Sequence, residues 1–344
     1  MKSRNLYLVV VLPALLFSAV TSTIFAQGSL TPPGAPAPTM KTLDQIESRT
    51  PISSIPTTIS QSGSYYLTGN LTGVSGQNGI TVTTGCVSID LKGYALVGVT
   101  GSKSGILLSG AETNLSISNG TIRNWGEFGI YTPDGGPDNL FENIRVRNNG
   151  VTGIVSGDRS IIIACIASSN TQAGIEVGIG GICKDSIAEN NGFNGFTLSN
   201  YAAISNSSSN GNGWLPGNPG AGFSLRDTTT IRDCRAYINH SHGIMVGSHA
   251  VVVNNTCNGN GRDHVSAAAA GIYVIVGGYG NKIEGNHVTG YHGIQTVTGG
   301  NLIVGNSGLG SSAYSSISAG NTVGPIVTGN NIGSDSNPHA NYQY

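Results

Sequence analysis

The chain has 344 residues, a formal net charge of −1, only 10% charged residues and 52 glycines. Ordinary globular domains carry about a quarter charged residues. With charge near zero and no basic run, nucleic acid and anionic membrane surfaces are poor partners. Residues 1–26 read as a secretory signal. Lys2 and Arg4 give a basic start, Leu6 to Phe17 is an apolar run broken by Pro13, and Ala26 offers a cleavage point. That run is short for a membrane span, and no later stretch reaches about 20 apolar residues. The expected location is secreted or periplasmic, with no membrane attachment after cleavage. Residues 27–40, QGSLTPPGAPAPTM, form a Pro/Gly-rich linker. Residues 41–56 form an N-terminal cap segment, with a short helix predicted at its start. There Thr42 and Gln45 fit a capping box, and Leu43 and Ile46 share an apolar side. Such a cap would cover the open edge of the element that follows.

Residues 57–330 are organised by a short repeat, a Gly followed by Ile or Phe. It occurs at Gly79, Gly105, Gly129, Gly153, Gly174, Gly195, Gly222, Gly243, Gly271 and Gly293, at intervals of 26, 24, 24, 21, 21, 27, 21, 28 and 22 residues. A period in the low twenties marks a repeat architecture. Apolar alternation follows the mark, as in Ile175 and Val177 or Phe223 and Leu225, which predicts a half-buried strand. A small inward residue stands seven before the Gly at Val146, Ala167, Ala188 and Ala236. Asn149, Asn170, Asn191 and Asn239 stand four before it, where Asn suits a tight bend with unusual backbone angles. A third strand, such as Ile161–Ile163, completes the coil. Three short strands and three turns make one rung of a parallel β-helix. Ten or eleven rungs about 4.8 Å apart give a rod of about 50 Å. Residues 331–344 form a polar tail expected to be loosely held.

The five cysteines are Cys86, Cys165, Cys183, Cys234 and Cys257. Cys165 and Cys234 share a ladder three rungs apart, too far for a disulfide. Cys183 is out of register with them, which leaves Cys234 and Cys257 as the one pair to test. The plain expectation is small side chains filling a stack.

Chemistry on a solenoid belongs on its insertions and one side face. Two rungs are long before their mark. One insertion carries Trp214, and the other carries Arg262, Asp263 and His264. The matching turns of other rungs carry His240 and His242, Tyr291 and His292, and Trp125 and Glu127. These residues are expected to line a lateral groove for an extended polymer. Trp125, Trp214 and Tyr291 would pack on sugar rings, with Glu127, His240 and His292 beside them. His242, Asp263 and His264 would supply acid–base chemistry, and Arg262 would neutralise a uronate carboxylate. Tolerated loops with polar tips account for the same residues without any function. His240 and His242 point the same way on a strand, and with His264 they would suit zinc or copper. Asp134 and Asp138 would suit calcium, although Asp-Gly and Pro-Asp are also ordinary turn chemistry. No metal site and no cofactor is assigned. The outward positions of the marked strands are Tyr131, Val155, Glu176, Thr197, Ser224, Met245, Tyr273 and Gln295. Glu176 is the one carboxylate among them, and a two-carboxylate hydrolase needs a close pair.

Val87-Ser88-Ile89-Asp90-Leu91-Lys92-Gly93-Tyr94, Asn119-Gly120-Thr121-Ile122-Arg123-Asn124-Trp125-Gly126 and the leader Met40–Ile46 before Thr50-Pro51-Ile52 carry a resemblance. With the repeats, they make residues 40–330 resemble secreted bacterial right-handed parallel β-helix proteins of the pectin lyase-like superfamily, including NosD-type and sugar-hydrolase repeats. The resemblance implies an all-β, right-handed single-stranded parallel β-helix and a polysaccharide partner. That group holds lyases, uronan epimerases, glycosidases and non-enzymes, so it leaves the reaction open. Arg262-Asp263-His264-Val265 shares only Asp and His with an epimerase-type Asp-Pro-His-Asp motif. Three readings follow. The first is an enzyme using His242, Asp263, His264 and Arg262. The second is a non-catalytic carbohydrate-binding or surface protein. The third is a NosD-like metal accessory protein. A monomer is the expected state.

Overall fold

The computed structural model describes residues 48–344 except 111–112, 133–135, 218–219, 262–268, 291 and 310–311. The expected signal, the linker and the helix of the cap segment lie outside the described residues. Of the cap segment, Thr50–Ile52 forms a strand that pairs in parallel with Gly63–Leu67.

Strand pairing is parallel throughout, and one sheet holds twelve strands stacked in sequence order. All ten Gly marks fall on it. Its first and last strands, Thr57–Ile59 and Ser316–Ile317, lack the mark and extend the stack beyond ten coils. The remaining strands form two ladders joined at a bend. Ile161–Ile163, Ile182–Lys184 and Ala203–Ser205 stack in one; Ile166–Ser168, Ile187–Glu189 and Ser208–Asn210 stack in the other. Each coil therefore contributes three strands, and the chain is a parallel β-helix.

Period-two alternation sets which side chains enter the bore. In Ile175–Val177 the two aliphatic residues are buried and Glu176 between them is half exposed. Inward residues stack on their equivalents one coil away. Phe196 and Phe223 stack with ring centroids 5.0 Å apart and planes at 6°. The residue seven before the Gly is inward, and Val146, Ala167, Ala188 and Ala236 are fully buried. Val146, Ala167 and Ala188 each face the Gly of the preceding coil's mark across a bore with no spare width. A Cβ on Gly129 would lie 2.1 Å from Val146 Cγ1 and 2.6 Å from the Gly153 carbonyl oxygen. The Gly is thus required by close approach, not by a special backbone angle.

The Asn four before the mark does not take the unusual angle expected from sequence. The positive φ sits one residue earlier, at Asn148, Ser169, Asn190 and Ile238. Asn149, Asn170, Asn191, Asn212, Asn239 and Asn260 instead point inward as a buried ladder. The Asn170 side-chain amide donates to Asn191 Oδ1 at 3.0 Å, and the Asn170 backbone N–H donates to the same oxygen at 3.0 Å. Asn191 repeats the pattern onto Asn212 at 2.9 Å and also donates to the Ala167 carbonyl at 3.1 Å. A turn leaves backbone groups that the strands cannot pair, and the buried amide satisfies them. A second ladder at another corner runs Asn255, Asn286, Asn306 and Asn341.

Asn341 overturns the expectation of a loose tail. It is fully buried, and Asn341–Gln343 pairs with Ile326–Thr328 and with Ser307–Gly308. The tail holds the last member of the ladder and closes that end of the stack.

All five cysteines are unpaired. Cys234 lies at a corner and donates its backbone N–H to Asn255, while Cys257 lies on a strand opposite Ala236. Burial pushes the Cys165 and Cys234 thiols up to about 12. Burial also raises those of Cys183 and Cys257. These four are unreactive spacers in the stack.

Candidate functional site

The outward face of the twelve-stranded sheet carries two adjoining hollows. The first, of about 540 Å³, is lined by Phe128, Tyr131, Thr152, Val155, Glu176 and Phe193 among others. The second, of about 650 Å³, is lined in part by Glu176, Phe193, Thr197, Ser224, Arg226 and Asp227. Glu176 and Phe193 belong to both, so the hollows form one groove along the stack.

Each lining residue is placed by its position relative to the mark. Tyr131, Val155, Glu176, Thr197 and Ser224 are middle or outward residues of paired strands, in direct register with one another. Phe128, Val151, Gln172 and Phe193 come from the turn just ahead of those strands and form one wall. Arg226 and Asp227 come from the turn just after and form the other. Phe128 and Tyr131 stack with centroids 4.5 Å apart and planes at 19°, a flat apolar platform at one end. Glu176 Oε1 accepts from the Thr152 hydroxyl at 2.9 Å. Asp227 Oδ1 accepts the Ser248 backbone N–H at 2.8 Å, which holds its carboxylate at the edge of the second hollow. Asn194 donates to the Thr197 hydroxyl at 3.2 Å and accepts the Ala221 N–H at 2.8 Å. The groove therefore offers an apolar platform, a central carboxylate and a row of short hydroxyl and amide groups.

The residues singled out from sequence are distributed differently. Trp125 is not on the lateral surface. It is 1% exposed, and its indole N–H donates to the Leu96 carbonyl at 3.3 Å. Glycines clear the space it fills, since a Cβ on Gly73 or Gly79 would lie 2.6 or 2.7 Å from its ring. Glu127 is half-buried, with one carboxylate oxygen accepting from Ser104 Oγ at 3.2 Å. Trp214 is exposed, but its indole N–H is tied to the Asn190 carbonyl at 2.9 Å, outside both hollows. His240 and His292 are half-buried, and His292 Nδ1 lies 3.0 Å from Ser316 Oγ. Arg262, Asp263, His264 and Tyr291 lie outside the described residues. So does Asp134, with Pro133 and Gly135 beside it in sequence. Asp138 is held by Arg159 through two contacts of 3.0 and 3.1 Å. Among the described residues, no three His, Cys, Asp or Glu side chains are grouped as a metal site.

His242 is the expected catalytic residue with the clearest environment. It is 9% exposed and stacks on Tyr273 with centroids 4.2 Å apart and planes at 5°. Its Nδ1 accepts the Ala270 N–H at 3.1 Å, so the ring is neutral. Burial lowers its pKa from the ordinary 6.5 to about 4. A histidine held neutral in this way is a poor proton donor near neutrality, and its packing is structural. The folded value lies below the unfolded one, so the unfolded chain binds the proton more tightly. Stability is therefore lost as pH falls from about 6.5 to about 4, by about 3 kcal/mol. Urea unfolding at pH 7 and pH 4 should show a loss for the natural chain larger by that amount than for His242→Gln. Equal losses would rule out His242 as the source.

The sequence signals for the groove were present in the outward positions Tyr131 and Glu176. Phe128, Phe193, Arg226 and Asp227 were missed because nothing in the linear spacing ties turn residues to a strand face.

Residues 58–212 match the family described as right handed beta helix region. The fold is similar to the A-module of the mannuronan C-5 epimerase AlgE4 of Azotobacter vinelandii. That match has a TM-score of 0.59 and 17% identity, over 79% of this chain and 88% of that one. The Dettilon tailspike protein matches with a TM-score of 0.54 and 14% identity, over 85% of this chain and 60% of that one. The A-module of the Azotobacter vinelandii epimerase AlgE6 gives 0.53 and 14%, over 85% and 88%. At such identities the likeness shows the fold. No curated protein matches the sequence. No helix among the described residues is long and apolar enough to cross a membrane.

Proposed function

The chain is a right-handed parallel β-helix protein, and on that premise we propose that it binds an extended polysaccharide along the outward face of its twelve-stranded sheet. The carrying observation is the groove itself, two hollows sharing Glu176 and Phe193 with a stacked Phe128–Tyr131 platform at one end. Sugar rings present apolar C–H faces that pack on aromatic planes, and hydroxyls that pair with carboxylates, amides and short alcohols. The mannuronan epimerase modules, similar in fold, are named for a polysaccharide. The basic start at Lys2 and Arg4 and the run Leu6–Phe17 support a secreted or periplasmic location, where such polymers occur.

A second reading, cleavage or epimerisation of the bound chain, is favoured by one observation. Two carboxylates, Glu176 and Asp227, line the same hollow together with Arg226. Acid–base chemistry on a glycan uses such groups. The Arg262-Asp263-His264 insertion is the other candidate for that role.

The test is a binding panel of soluble polysaccharides, with product detection on each that binds. Tyr131→Ala should weaken binding about tenfold, the loss of one aromatic stacking contact. Ile182→Ala, on an exposed position of another ladder, should leave affinity unchanged. Equal effects of the two substitutions would remove the groove as the binding surface.

A further inference from the structure

The outward row of the twelve-stranded sheet carries a tyrosine near each end of the groove. The Phe128–Tyr131 platform stands at one end. At the other, the second hollow includes Met245 and ends on the coil of Ile275. On that coil Tyr273 is the outward residue of Ala270–Val274, in register with Met245. Its ring stacks on His242 with centroids 4.2 Å apart and planes at 5°. Phe128 and His242 hold the same place, one residue before the Gly of their marks. The repeat therefore sets a flat side chain in the turn at each end, against an outward tyrosine. Between the two tyrosines the outward residues Val155, Glu176, Thr197, Ser224 and Met245 carry no ring, and Phe193 stands in the wall. From this we infer that Tyr273 is a second sugar-stacking subsite, and that the full site takes one glycan chain reaching from Tyr131 to Tyr273. The inference rests on the groove reading above and deepens it.

His242 covers one face of the Tyr273 ring and holds it flat. Tyr273 is half-buried, so its remaining exposure lies on the other face and the rim. An apolar ring face with a polar rim is what a sugar packs against. The next coil adds a second feature. Gln295 is in register with Tyr273, and its Oε1 is buried and accepts no hydrogen bond. A buried acceptor left unsatisfied is costly, and a sugar hydroxyl donating to it beside Tyr273 would relieve that cost.

The spacing of the platforms sets the ligand's length. Six coil spacings separate Tyr131 from Tyr273, or about 29 Å. An extended glycan advances per sugar by roughly one such spacing, so about seven sugars reach both rings. A short oligosaccharide covers one platform only, and two copies fit on one chain. A long one engages both platforms, the second contact being made within the same complex.

The experiment titrates the full chain calorimetrically with gluco-, manno- and galacto-oligosaccharides and oligouronates, each of three and of seven units. In a series that binds, two trisaccharides but one heptasaccharide should bind per chain, and the heptasaccharide should bind at least about tenfold tighter. Tyr273→Ala should leave one trisaccharide bound, at the Tyr131 end, and weaken the heptasaccharide about tenfold. The retained trisaccharide shows that the variant is folded. Tyr273→Leu keeps bulk against His242 without a ring face and should behave like Tyr273→Ala, whereas Tyr273→Phe should behave like the natural chain. A single trisaccharide per natural chain, or heptasaccharide affinity unmoved by Tyr273→Leu, would overturn the second subsite. So would a loss in Tyr273→Phe as large as in Tyr273→Leu. If Tyr131→Ala still weakens binding in those cases, the groove stands and only the second subsite falls. If no series binds, or Tyr131→Ala has no effect on any, the groove reading itself falls, and this inference with it.

Discussion

Asn191→Ala should lower the stability of the folded chain by about 4 kcal/mol, more than almost any surface change in the molecule. The figure comes from the groups left without partners. Asn191 Oδ1 accepts both the backbone N–H and the side-chain amide of Asn170, and Asn191 Nδ2 donates to the Ala167 carbonyl. All three residues are fully buried, so water cannot replace the lost partner. An unsatisfied buried polar group costs about 1–3 kcal/mol, and charge redistribution along a hydrogen-bonded row adds to it. The comparison that isolates the ladder is Asn148→Ala. Asn148 is exposed and holds φ at 55°, so its replacement costs only the strain of a left-handed non-glycine residue, about 1–2 kcal/mol. Urea unfolding followed by far-ultraviolet circular dichroism separates the two. If Asn191→Ala costs no more than Asn148→Ala, the buried amide is not what satisfies the corner.

The pair Asn148 and Asn191 also shows where sequence reading succeeds and where it stops. The repeat of Gly then Ile or Phe is a steric record. Each Gly is crowded by a neighbouring coil, most often by its carbonyl and by an inward side chain of the next coil, so both leave a mark in the chain. The coil, the strands and the small inward residues were therefore legible. Asn has two uses at a corner, to accept a positive φ or to bury its amide, and they differ by one position. Composition does not separate them. Ile238 holds φ at 51° while Asn239 next to it is buried in the ladder. The tail was misjudged for the same reason, since a polar Asn341 reads as solvated until its ladder partner Asn306 is placed.

The candidate site was less legible because its residues come from three registers. Tyr131 and Glu176 stand on strands and were visible as outward positions. Phe128 and Phe193 precede their strands, and Arg226 and Asp227 follow theirs. Histidine and tryptophan drew attention because they are scarce in this chain, with seven and two copies. Scarcity is a signal of chemistry only when the side chain reaches solvent. His242 is 9% exposed and packed against Tyr273, and it lines neither hollow, so its rarity does not place it in the groove.

Trp125→Ala should remove about 4 kcal/mol of stability and leave glycan affinity of the remaining folded protein unchanged. The stability term follows from truncating a buried indole, which costs about 3–5 kcal/mol when the cavity cannot collapse. Collapse is blocked here. The ring is surrounded by Gly73, Gly79 and Gly105, which have no side chains to move inward, and by strand backbone fixed by ladder hydrogen bonds. The Leu96 carbonyl also loses the indole donor, although it lies in a paired strand. The affinity term separates two roles for one residue. A tryptophan on the groove would lose binding and keep stability when truncated, whereas a tryptophan in the bore does the reverse. Filling the cavity from the other side tests the same geometry. Gly79→Ala in the natural chain brings a Cβ to 2.5 Å from the Gly105 carbonyl oxygen and 2.7 Å from the indole. Removing the ring relieves only the second clash. Gly79→Ala should therefore remain destabilising in the Trp125→Ala background, by a smaller amount than alone. Additive losses would mean that the backbone carbonyl, not the indole, fixes the glycine.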